Sequence, residues 1–74
     1  MNIELKDMKL TMEVNIKDCT LRRYVSDMKG NIIWDSGVQD SNEVDNSKEG
    51  LDAWESQMTS MPFWKIVEVE RVVV

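Results

Sequence analysis

The side chains able to do chemistry in this sequence are few, and most are carboxylates. The chain has no histidine and a single cysteine, Cys19. Without imidazole there is no His-based acid, base or metal ligand. One thiol cannot complete a standard structural zinc site or an internal disulfide. Cys19 lies in "KDCT", where Lys17 and Arg22 are near in sequence but Asp18 is adjacent and no histidine exists. A thiolate nucleophile needs a positive surrounding and a base, so a structural or incidental thiol is expected.

The carboxylates are concentrated. "WDSGVQDSNEVDNSKEGLDAWE", Trp34 to Glu55, holds seven acids and one cation, Lys48. Acid–base catalysis needs paired carboxyls in unlike environments within a cleft. These acids fall on a polar loop and on the outer face of an expected helix, where solvation keeps them ordinary. No Gly-rich phosphate loop accompanies them. The expectation is no enzyme, no catalytic residue and no cofactor. "DSNEVDN" starts like a calcium loop, with Asp40 and Asn42 at the first and third positions. Val44, Asp45 and Leu51 then stand where an oxygen ligand, a glycine and a bidentate glutamate are required. No metal site is expected.

The elements that must position these groups follow from the pattern. The 74 residues suffice for one domain, 1–74, with one small core. Met8, Leu10, Met12, Val14 and Ile16 alternate with polar residues, the period of a strand with one buried face. Ile3 and Leu5 alternate in the opposite phase, which a bulge near Lys6-Asp7 would reconcile. "TLRRYVS" and "NIIWD" read as strands joined by "DMKGN", with Asp27 opening a turn and Gly30 in its left-handed position. The hairpin expected is Leu21–Asp27 with Asn31–Asp35. The stretch from Ser36 to Asn46 is expected to be loop. Asp45 or Ser47 is the expected N-cap of a helix. Its apolar stripe is Leu51, Trp54, Met58 and Met61, and Pro62 ends it. "FWKIVEVERVVV" reads as a last strand, with Val67 and Val69 on one buried face and Val72–Val74 an apolar run.

The resulting fold class is α+β: a small antiparallel sheet, in order β-β-β-α-β, with one helix packed on one face. Of the three tryptophans, Trp54 is expected in the core, and Trp34 and Trp64 at element ends. Arg22, Arg23 and Tyr24 are expected as exposed strand residues rather than a nucleic-acid patch.

Charge distribution carries the functional expectation. Residues 1–34 sum to +1, residues 35–55 to -6 and residues 56–74 to zero. An overall charge of -5 argues against direct nucleic-acid binding, which needs cations to displace phosphate counterions. No apolar run is long enough to span a membrane, and the charged start "MNIELKDMKL" has no apolar signal region. A cytoplasmic protein is expected.

The helix segment "DNSKEGLDAWESQM" beside the "DMKGN" hairpin is similar in layout to small phage-encoded inhibitor proteins. These include anti-CRISPR proteins and inhibitors of DNA-processing enzymes. The resemblance implies a compact acidic α+β domain without catalytic residues, and no functional residue is carried over from it. Together with the charge segregation it yields an expectation. The protein is a non-enzymatic, phage-type inhibitor whose acidic surface imitates nucleic acid and blocks a basic surface of a host complex. The surface would be Asp40, Glu43, Asp45, Glu49, Asp52 and Glu55. The alternative is a small structural or assembly subunit that self-associates, as a homodimer for instance, through the last strand.

Overall fold

The computed structural model describes residues 6–40, 47–62 and 64–74. Strands β1 (Asp7–Asn15), β2 (Thr20–Asp27) and β3 (Ile32–Asp40) form a meander. Helix α1 (Lys48–Thr59) follows, and β4 (Lys65–Val73) completes a four-stranded sheet in the order β3-β2-β1-β4. The α+β class and the β-β-β-α-β order are as expected. The first three strands pair antiparallel, and β4 lies parallel to β1, so the sheet is mixed. The helix causes this. β3 and β1 run the same way because each opposes β2, and α1 carries the chain back, so β4 starts from the same end as β1.

The β2–β3 turn is built by Asp27. Its Oδ1 accepts from the backbone N–H groups of Lys29 and Asn31, both at 2.9 Å. Its Oδ2 accepts from Asn31 Nδ2 at 2.9 Å. Gly30 takes φ +94°, where a side chain would be strained. The Asn31 amide, first by its side chain and then by its backbone, holds the Asp27 carboxyl below the usual carboxylate range.

Five expectations need correction. Ile16 does not continue the buried face of the first strand, because β1 ends at Asn15 and Ile16 is 68% exposed in the turn that follows. The third strand does not stop at Asp35 but runs to Asp40, because β2 keeps pairing as far as Thr20 with Asp40. Polar composition misled here: Ser36 Oγ accepts from Arg23 N at 3.0 Å, and Gly37 at φ +72° absorbs an irregularity within the strand. Arg23 is not an exposed strand residue. It is 3% exposed, because it shares the helix-covered face with Leu21 and Val25. Val67 and Val69 do not line a buried face, since β4 is an edge strand and they are 47% and 36% exposed. Trp54 is half-buried at the rim of the core, not inside it.

Ser47 is the N-cap of α1, its Oγ accepting from Gly50 N at 3.3 Å. Asp45, the other cap candidate, lies outside the described residues, as do Ile3 and Leu5. The helix ends with Ser60 at the C-cap, two residues before Pro62. Leu51 and Met58 of the predicted stripe are buried against Leu10 and Met12 of β1 and Leu21 and Val25 of β2. These six side chains are the core. Full burial of each is worth about 1.5–3 kcal/mol. Met8, Val14, Trp34, Trp54, Met61, Trp64 and Ile66 pack around them.

Candidate interaction surfaces

The predicted acidic residues do not form one uniform array. Asp40 ends β3, and Glu49, Asp52 and Glu55 lie on α1. Glu43 and Asp45 lie outside the described residues. Asp52 is clamped between two cations, Lys48 Nζ at 2.9 Å and Arg71 Nη2 of β4 at 2.6 Å. Arg71 also reaches Glu55 Oε1 at 3.5 Å. The hydrogen bond from Arg71, then the one from Lys48, keeps the Asp52 carboxyl below the usual carboxylate range. Asp52 and Glu55 thus fasten the helix to β4 while remaining partly exposed. Glu49, in the first turn, is exposed and complements the helix dipole.

The sheet face away from α1 carries a lattice of opposite charges. Arg22 donates to Asp35 through Nη2 at 2.6 Å and lies 4.0 Å from Glu13. Its guanidinium sits 4.7 Å from the centroid of the Tyr24 ring, and the Tyr24 hydroxyl donates to Glu13 Oε1 at 3.1 Å. Lys9 contacts Glu70 at 2.6 Å and Glu68 at 3.9 Å. Arg22 is the main reason the Asp35 carboxyl sits below its ordinary range, with the Gly37 N–H second. The cross-strand register sets each cation between two anions, so both cations are paired and the named groups leave the face net acidic.

The helix side has an aromatic corner. The rings of Trp54 and Trp64 each lie 6.4 Å from that of Trp34. With Met58 and Met61 they line an open apolar pocket of about 180 Å³. Trp64 Nε1 donates to the Met58 carbonyl at 2.8 Å, which fixes the entry to β4. Arg23 lies over the Trp54 ring, its Cζ 3.5 Å from the ring centroid, and its Nη2 donates to Gln39 Oε1. Among the described residues, its Nε and Nη1 find no acceptor although both are buried.

No protein-family model matches this chain, and no curated protein or solved structure matches it either. The surfaces must therefore be weighed on their geometry. Among the described residues, no three Asp, Glu or Cys side chains come together to hold a metal ion. The calcium-like stretch after Asp40 lies outside them. Cys19 is exposed in the β1–β2 turn at φ +54°, its thiol directed at the Ile16 carbonyl at 3.6 Å. Among the described residues, no helix is long and apolar enough to cross a membrane.

The edge of β4 is the surface the sequence left undecided. A strand at the end of a sheet presents one row of backbone groups to solvent. Val74 N donates to Val14 O at 2.8 Å, and Val14 is the register partner of Val73. Alternate residues of a parallel strand bond to the neighbour, so Glu70 and Val72 direct their N–H and C=O to β1. Val69, Arg71 and Val73 direct theirs outward. The side chains along that strand are mixed: Glu68, Glu70 and Arg71 are exposed, and the apolar part is its end, with Val73 67% and Val74 66% exposed. The opposite edge, β3, is guarded. Its pairing slips at two places, and Gly37 takes a positive φ. Such irregularities discourage edge-to-edge association. In β4 the only slip is at its start, near Met8/Lys9, leaving Glu68–Val73 regular.

Proposed function

We propose that this chain is a non-enzymatic protein-binding domain that works by strand addition at the β4 edge. The supporting observation is the regular outward row of Val69, Arg71 and Val73 amides, flanked by exposed valines and lacking the irregularities that protect β3. Main-chain bonds to an added strand would supply affinity, and the valine side chains would supply selectivity. The test is capture of a partner by the parent and by Val73→Pro. Proline at that position removes an outward N–H and spares the bonds to β1. Loss of capture together with an unchanged fold is expected. Undiminished capture by Val73→Pro defeats the reading.

A second reading keeps the acidic surface. It is a cytoplasmic, phage-type inhibitor, anti-CRISPR-like in overall type, that covers a basic surface of a host complex. The observation favouring it is the exposed Glu49, which follows in sequence the acid-rich stretch from Asp40 to Asp45. The pairing of Asp52 and Glu55 with Arg71 and Lys48 reduces the charge that surface displays. Affinity that falls steeply with salt and with Glu43→Gln/Glu49→Gln supports this reading; indifference to both removes it.

A further inference from the structure

We infer that the strand added to β4 is β4 of a second copy, in an antiparallel two-fold pairing centred on Arg71. This rests on the strand-addition reading and names its partner. A two-fold axis perpendicular to the sheet keeps both helices on one side and sets each residue opposite one of the same face. Antiparallel strands exchange bonds between residues whose amides face each other. The outward residues are Val69, Arg71 and Val73, so the axis must match members of this set.

Registers differ in what they bring together. Centring on Val69 sets Glu68 against Glu70 twice, and centring on Glu70 sets that carboxylate against its own copy. Like charges directly opposite are unfavourable. Centring on Arg71 instead pairs Val69 with Val73 of the second copy, on both sides of the axis. It also pairs Glu70 with Val72, and Glu68 with Val74. The exposed valines of the edge are then covered by one another, and no carboxylate faces another.

The two Arg71 side chains meet at the axis in this register, which would repel if they were bare. They are not. Each is held by Asp52 and Glu55 of its own helix, and Lys48 completes the cluster. Each copy brings two cations and two anions, so the axis is neutral. Asp52 and Glu55 thus act beyond their own protomer's fold. These two acids prepare the edge of β4 for a like partner.

The contact is one strand long, so association is weak and calls for concentrations from about 10 μM to about 1 mM. Sedimentation should show the mass doubling over this range, and Val73→Pro should remain monomeric. The register is read in a Cys19→Ser background by mixing Glu70→Cys with Val72→Cys and oxidising. These positions form a non-hydrogen-bonded pair with Cα atoms about 4.5 Å apart, within disulfide reach. The mixed disulfide should exceed either homodisulfide several-fold. A dimer without that excess overturns the register and leaves strand addition standing. A monomer throughout the range overturns the second copy as partner.

Discussion

Arg71 of β4 donates to Asp52 of α1 at 2.6 Å, tying the edge strand to the helix above it. It is the one cation in the C-terminal half of β4, and it serves two acids predicted to face a partner.

The acid side of stability should reflect this link. The Asp52 carboxyl is held below its ordinary value by Arg71 and Lys48. A depressed carboxylate contributes stability that is fully present above the unfolded value, about 3.9, and is lost as pH falls below it. Asp52→Asn should therefore have a shallower decline than the parent below about pH 4, with the difference vanishing at the lowest pH. Urea unfolding followed by tryptophan fluorescence from pH 2 to 7 reads this directly. Parallel curves would mean that solvent screens the pair completely.

Arg23 should behave in the opposite way to an ordinary buried ion. Burial lowers its pKa, its ring contact is with Trp54, and two of its nitrogens have no acceptor among the described residues. Leaving buried donors unmade costs about 1–3 kcal/mol. Arg23→Met keeps the length of the side chain and removes the unmet donors. It should raise stability by about 1–3 kcal/mol, seen as a higher urea midpoint with an unchanged slope. Arg23→Ala should instead lower it, through lost packing on Trp54. A loss in the Met variant would show that the guanidinium is needed where it lies.

These two arginines also mark where the sequence was legible. The alternation from Met8 to Ile16, the "DMKGN" turn and the stripe through Leu51 and Met58 each report a local pattern, and each became the expected element, with Ile16 alone left outside its strand. Arg23 escaped because residue type outweighed its position: it alternates with Leu21 and Val25, whose shared phase marks the covered face. The extension of β3 past Asp35 escaped because Ser36, Gly37 and Asp40 have weak strand preference, and pairing with β2 overrides it. The edge position of β4 is a tertiary fact with no local signature. The acidic stretch was visible as charge, but its partners were not, since Arg71 lies 19 residues from Asp52.

The core can be checked independently of any function. Leu10 has no exposed surface and sits between the strands and α1. Leu10→Ala should cost about 2–5 kcal/mol, a large share of the stability of a domain this small. Its measurement is the same urea titration. A cost below about 1 kcal/mol would mean that the helix collapses readily onto the sheet.

The turn gives the last prediction. Gly30 has φ +94°, and a Cβ added there would meet nothing within 4 Å. Space is therefore not the constraint; backbone conformation is. Gly30→Ala should lose about 1–2 kcal/mol through left-handed strain, with no change in the core. Asp27→Ala removes the acceptor for Lys29 N, Asn31 N and Asn31 Nδ2 in one step. Because the glycine sets the conformation and the carboxylate bonds it, the two changes act on one turn. Together they should cost less than the sum of their separate effects. A double-mutant cycle by urea unfolding measures that coupling, and strict additivity would show that Asp27 and Gly30 act independently.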